Sequence, residues 1–441
     1  MSPQHQHRIQ SPGLSRFPRP LSKSASAHLD LIRAVAASLV MWGHLRNLFF
    51  VDFDNVQHGS RLIKAIYFLT GFGHQSVVIF FILSGFLISS TVMKRFVVGG
   101  WSWRGYAIDR LTRLYVVLIP GLLFGLLWDK AGSHFFGSSG LYTQPLAGFG
   151  PAIVQNRITL QAFFGNLAFL QTLVFPVFGS NGPLWSLANE FWYYALFPVG
   201  LAAAVAWATT RIWRAVPLTA VAISMAAFVR SPILPGFLIW LMGCALVVVY
   251  ARLTLQRPGW LLPYLLISAS AVFACLVASR IGGPGTLASD FTLGATFSIF
   301  LFGVLQIELR EDHAGYAKVA HLFAGFSYSL YVLHFPMLLF LRAWLTPSHR
   351  WQPDISRLFC GLAIGAVALL FAWLVSVFTE AKTAGVRSQV DTMIPHFGEG
   401  RLGRPTSYAT EQVAPSKTQF TSPGLVARTD FAPLTQRSRK V

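Results

Sequence analysis

Ten mostly apolar stretches limit what this chain can fold into more than any other feature. They cover roughly 31–50, 66–93, 114–128, 187–208, 216–230, 234–250, 260–280, 291–307, 323–345 and 357–379. A helix needs about 20 such residues to cross a bilayer. Apolar types make up 54% of the chain and charged types only 12%, against about 25% charged in soluble domains. The expected fold is therefore all-α, a polytopic membrane protein of about ten transmembrane helices. The segment 161–178 is expected to be re-entrant or interfacial, because counting it as a span upsets the charge balance.

Charge sets the orientation. With the N-terminus inside, the cytoplasmic connections are 94–113, 209–215, 251–259 and 308–322, and they hold most of the loop Lys and Arg. The opposite side holds Arg61, Lys64, Lys130, Arg157, Arg230 and Arg350. This bias predicts both termini in the cytoplasm. The same rule accounts for the net charge of +19. No folded basic domain with interleaved aromatics is present, so nucleic acid is not an expected partner. Cys244, Cys275 and Cys360 lie in apolar runs at spacings that suit neither a disulfide framework nor a zinc site. Residues 1–28 are polar and lack the apolar core of a cleaved signal peptide. They read as a disordered cytoplasmic tail, and 388–441 as a disordered basic one, leaving 29–387 as the transmembrane domain. No internal repeat, Walker loop or dinucleotide fingerprint is found.

Ionisable and polar groups inside spans carry functional weight, since insertion of a charged residue costs about 2.5–3.5 kcal/mol. In LDLIRAVAASLVMWGHL, Arg33 and His44 stand eleven residues apart. That is close to three turns, so they share a face about 16.5 Å apart along the axis. Arg33 can snorkel to the interface or serve a site, and His44 can be a bonded core histidine or a reactive one. In FFILSGFLISS, Ser84 and Gly85 suit close helix packing better than substrate contact. Arg110 and Arg113, three apart at a helix start, face one way. They serve either the positive-inside bias or an anion site, for which the bidentate fork of Arg is suited. In GPLWSLANEFWYYALFP, Glu190 stands among Trp185, Ser186 and Tyr194. It can favour a helix N-terminus, orient a histidine or bind sugar hydroxyls. In FSYSLYVLHFPMLLF, Tyr328, Tyr331 and His334 share a face and suggest a cavity wall. His349 and Asp354 match a His-x4-Asp spacing, but a bare motif of this kind is weak and is set aside.

Taken in order, these stretches resemble the acyltransferase 3 family of integral membrane acyltransferases, which includes O-antigen and exopolysaccharide O-acetyltransferases. LDLIRAVAASLVMWGH resembles its first-helix motif of Arg, ten residues, then His. FFILSGFLI, RLTR at 110–113, WSLANEFWYYALFP and FSYSLYVLHFP resemble its later motifs. Leu31, Ala34 and Val116 depart from common Gly, Gly and Pro positions, and Glu380 is followed by Ala381 and Lys382 rather than Pro. No appended esterase-like domain is expected.

The resemblance implies transfer of an acyl group, usually acetyl from acetyl-CoA, to a hydroxyl, usually on a sugar. Acyl-CoA then enters as donor substrate, with no permanently bound cofactor and no metal. Arg33, Arg110 and Arg113 would hold its phosphates at the inner face, and His44 would act as general base or accept the acyl group. Glu190 would orient His44 or the acceptor. Ser84, Trp185, Ser186, Tyr194, Tyr328, Tyr331 and His334 would line the acceptor cavity. The expected partners are acyl-CoA, a carbohydrate or glycolipid acceptor and the lipid bilayer, in a bacterial inner membrane. A transporter or flippase of a sugar-lipid is the rival class, since it would use the same intramembrane charges.

Overall fold

The computed structural model describes residues 18–146, 152–255, 258–281, 285–309 and 314–394. The chain divides into two units, Met1–Met393 and Ile394–Val441, and every helix described belongs to the first. The helices are α1 (Lys23–Phe49), α2 (Arg61–Leu69), α3 (Gly73–Val98), α4 (Trp103–Phe136), α5 (Leu160–Leu167), α6 (Leu184–Ala208) and α7 (Ile212–Arg252). They continue with α8 (Pro258–Ile281), α9 (Leu287–Val304), α10 (Ala314–Ala324), α11 (Ser327–Leu345), α12 (Ile355–Phe378) and α13 (Thr383–Met393). Among the described residues there is no strand. Ten helical segments are long and apolar enough to cross a membrane.

The all-α, ten-span reading therefore holds, with corrections at the edges. The 94–113 connection shrinks to a short turn, because Ser102 caps α4 by accepting from the Gly105 N–H at 3.1 Å. Arg110 and Arg113 consequently lie on a 34-residue helix. The segment 161–178 yields only the eight-residue α5, too short to span. Two expected spans form one element, α7, with Arg230 at φ +37° marking the join. The supposed tail boundaries also move. Ser22 caps α1, so residues 23–28 are helical. At the other end α13 runs past 388, where Arg387 pairs with Asp109 at 2.5 Å and Asp391 with Arg104 at 2.6 Å. Residues 1–17 and 395–441 of the two tails lie outside the described residues. Asp354 caps α12 through the Arg357 N–H at 2.7 Å, which gives the His-x4-Asp match a structural cause.

α11 is the central helix. It packs against α1, α4 and α12, and 72% of its apolar window is buried, against 6% for α8. α3 and α7 approach closely because Gly85 and Gly243 face each other's helix. A Cβ on Gly85 would meet the Trp240 carbonyl, and one on Gly243 the Ile82 carbonyl.

Two prolines create a problem that residues outside their own helices answer. Proline removes an N–H and so frees the carbonyl four residues earlier. Pro336 in α11 frees the Val332 carbonyl, which accepts from Asn181 Nδ2 at 2.9 Å. Pro198 in α6 frees the Tyr194 carbonyl, which accepts from the Tyr106 hydroxyl at 2.8 Å. Asn181 is held in turn because the neighbouring Ser180 donates through N (2.7 Å) and Oγ (2.6 Å) to the buried Asp129 carboxylate. The loop leading into α6 is thereby fixed to α11.

Replacing Asn181 with Leu is expected to destabilise the bundle by about 1–3 kcal/mol, the cost of an unmet buried carbonyl. In a Pro336→Ala background the N–H of residue 336 is restored, so the same replacement should cost clearly less. Denaturant unfolding of the four proteins in detergent measures this coupling, and equal costs in both backgrounds would refute it.

Candidate active site

α1 carries Arg33 and His44, and α11 runs beside it with Tyr328, Tyr331 and His334. The two histidines meet. His44 Nδ1 lies 2.8 Å from His334 Nε2, with ring planes 11° apart and the Phe335 ring edge-on to His44 at 5.1 Å. His334 Nδ1 lies 2.8 Å from the Leu330 carbonyl. A carbonyl only accepts, so His334 Nδ1 carries a proton and its neutral ring offers a lone pair at Nε2. His44 Nδ1–H must then be the donor, and the basic lone pair of a neutral His44 falls on Nε2. The tautomers follow from the hydrogen-bond network.

The carboxylate of Glu190, on α6, is held differently. Its Oε1 accepts from the Tyr194 hydroxyl one turn on and from Ser84 Oγ at 3.4 Å. Ser84 itself accepts from Trp240 Nε1 at 3.2 Å. The close α3–α7 approach at Gly85 makes that relay possible, so Ser84 both packs and bonds. The Tyr331 hydroxyl lies 2.7 Å from Ser186 Oγ, which donates to the Pro183 carbonyl at 3.2 Å. Ser186 has one proton, so Tyr331 donates to it. Trp185 packs edge-on to Phe81 at 6.2 Å.

The arginines gather at the opposite end of α1 from His44. Arg33 Nη2 donates to the Ala324 carbonyl at 3.2 Å and pairs with Asp30 at 3.0 Å. The Arg113 guanidinium lies over the Tyr328 ring and that of Arg110 over the Tyr194 ring, each at 5.8 Å. Arg33 and Arg113 repel one another, and Glu190 and Glu380 attract both. Glu380 Oε2 accepts from Ser329 N at 3.0 Å and Oγ at 2.9 Å, at the start of α11.

Glu380 stands out in the sequence through the family resemblance, as the Glu of the last helix, but nothing there gives it a partner. The contact between His44 and His334 had no sequence signal at all. The sequence placed His334 in the acceptor wall, and the structure puts it against His44.

Three donors in this region are buried without a partner: Arg33 Nε, Arg110 Nε and the Tyr328 hydroxyl. Arg33, His44, Arg110, Arg113, Glu190 and Tyr328 keep part of their surface open, whereas His334, Tyr331, Ser186 and Ser329 are buried. Groups able to touch a ligand are thus accessible, and those that hold them are not. The unmet N–H and O–H groups suit acceptor oxygens, such as those of phosphate. Among the described residues no group of three His, Cys, Asp or Glu is placed to hold a metal.

Residues 26–377 match the model of the acyltransferase domain of the acyltransferase 3 family. That range contains every site residue above except Glu380. No curated protein and no solved structure matches the chain. The match spans most of the chain, including the first span and the helix that brings His334 to His44. The chain belongs to the acyltransferase 3 family and is a multi-pass membrane acyltransferase.

Proposed function

We propose that this protein moves an acetyl group from acetyl-CoA to a hydroxyl of a carbohydrate, a cell-envelope glycan or glycolipid, in a bacterial inner membrane. The observation that carries the reading is the His44–His334 pair. It leaves an oriented, neutral imidazole whose basic nitrogen is Nε2, the state a general base needs near neutrality. The acceptor hydroxyl gives its proton to His44 Nε2 as its oxygen attacks the thioester carbonyl. The C–S bond breaks, the ester C–O bond forms, and the proton passes from His44 to the CoA thiolate. Tyr331 spends its proton on Ser186, so the Tyr328 hydroxyl is the better donor to the developing oxyanion.

Arg33, Arg110 and Arg113 receive the CoA phosphates, with both termini and this end of the bundle at the cytoplasmic face. Glu190 positions Tyr194 and Ser84 along the path of the pantetheine arm or the acceptor. Its hydrogen bonds from Tyr194 and Ser84 favour that role over orienting His44.

Membranes containing the protein, given acetyl-CoA labelled on the acetyl group, should place label in the lipid-linked or polysaccharide fraction. His44→Ala should lower that transfer by about 10²-fold or more at equal folded protein, and full activity would sink the assignment. Label held on the protein before acceptor is added would indicate an acyl-histidine instead. Consumption of longer acyl-CoAs alone would change the donor.

His334→Ala should also cost about 10²-fold, since it releases the His44 tautomer. His334→Gln should retain more, because its amide oxygen can accept from His44 Nδ1–H. Initial rates of the two variants decide this, and equal rates would remove the orienting role. Arg110→Gln should raise KM for acyl-CoA by about tenfold or more, the worth of one charge-assisted contact, with kcat little changed. Steady-state kinetics with varied acyl-CoA would show a pure kcat effect if Arg110 does not touch the donor.

A further inference from the structure

Beyond His44, at the end of α1 away from Arg33, a cavity of about 290 Å³ opens. Ligand pockets run about 300–1,000 Å³, so it suits a sugar ring or a head group. Asn47, Arg342, Ser348, His349 and Arg350 line it, with no carboxylate. Asn47 is three residues past His44, and Arg342 eight past His334. At the helical rise these are about 4.5 Å and about 12 Å along the axis. The cavity therefore continues the same α1–α11 seam that holds the histidine pair.

Arg342 is 5% exposed. Its Nε donates to the Leu48 carbonyl at 2.9 Å, and its Nη1 is buried with no partner. It pairs with no carboxylate among the described residues, and Arg350 repels it. Asp52, the nearby acid, is already engaged by Arg350 through Nη1 (3.0 Å) and Nη2 (2.7 Å). That contact holds the Asp52 carboxyl below the usual carboxylate range, so it stays charged and committed to Arg350. A buried guanidinium with an unmet N–H is costly unless an anion completes it.

The site is also built rather than open loop. Trp351 N donates to the Phe49 carbonyl at 2.7 Å, and Val51 N to the Trp351 carbonyl at 3.0 Å. These bonds and the Arg350–Asp52 pair tie the Ser348–Arg350 wall to the end of α1.

We propose that this cavity is an anion subsite for the acceptor, with Arg342 as its principal ligand. It takes the carboxylate of an acidic sugar or the phosphate of a lipid-linked saccharide, leaving a hydroxyl of that acceptor directed along the seam toward His44. This deepens the transferase reading and rests on it, because the word acceptor has meaning only if transfer occurs.

The test is binding, read without acyl-CoA, to the full chain in nanodiscs of zwitterionic lipid. Glucuronate, glucose 1-phosphate and glucose are the probes, and saturation-transfer NMR reads their affinities. At least one charged probe should bind tenfold or more tighter than glucose and weaken with salt. Glucuronate alone would point to an acidic glycan, and glucose 1-phosphate alone to a lipid-linked phosphate. Arg342→Gln should lose tenfold or more.

Because that variant also drops the bond to Leu48, Ser348→Trp, which fills the cavity from an exposed position, should abolish the same binding. The proposal is overturned if no charged probe binds, if glucose binds equally well, or if Ser348→Trp leaves affinity unchanged. Anion binding that depends on Arg342, with no transfer from any acyl-CoA, would keep the anion site and discard the acceptor role. Transfer without such binding would do the reverse.

Discussion

A bilayer interior offers no water, so every polar group this chain carries into it must be answered by the chain or by a ligand. That constraint organises the bundle. Pro336 and Pro198 each free a carbonyl, and each carbonyl is met from outside its own helix, by Asn181 and Tyr106. These bonds fix the start of α6 to α11, and α4 to α6. α11 then holds His334 rigidly, because Leu330 takes its Nδ1 proton and Glu380 takes the first free donors of the helix at Ser329. The geometry of the His44–His334 pair depends on this scaffold.

The spans were legible because length and apolar content are all that the bilayer requires of them. Their ends were less so, since helices continue beyond the hydrocarbon wherever a cap or an ion pair rewards it. Ser22 extends α1, and the Arg387–Asp109 and Arg104–Asp391 pairs sustain α13 in a stretch without apolar periodicity. The sequence puts Arg110 and Arg113 at a helix start, and the Ser102 cap sets that start earlier, so that both lie well inside α4. Which residues meet was the least legible part. His44 and His334 lie 290 positions apart, and no spacing rule reaches that far. Glu190 stood out by its residue type, and Tyr194 one turn on lies within reach on the same helix, but the contact with Ser84 on α3 shows only in the packing.

α1 joins two electrostatically different ends. At Arg33 the charges nearly cancel, with Arg33 paired to Asp30 and both Arg33 and Arg113 set near Glu190 and Glu380. The partnerless donors there are single atoms on otherwise compensated groups. At the far end Asp52 compensates Arg350, and among the described residues Arg342 has only the Leu48 carbonyl. A loop bias for Lys and Arg explains basic residues in water-exposed connections. It does not explain a guanidinium buried to 95% inside the last turn of a central helix, which is why that end calls for a ligand of opposite charge.

In the proposed reaction a histidine rather than a carboxylate orients His44, and this has a chemical logic. A carboxylate partner favours the imidazolium and adds a second charge to a site with no water to solvate it. A neutral imidazole fixes the same tautomer without that charge. The proposed transfer from a thioester needs only a transient base, because the proton taken from the hydroxyl leaves again with a thiolate whose ordinary pKa is about 8.5. The site therefore gains orientation from His334 and has no need of the extra basicity that a buried acid would bring. Glu190 and Glu380, the acids that are present, are spent on hydroxyls, a helix start and the arginines.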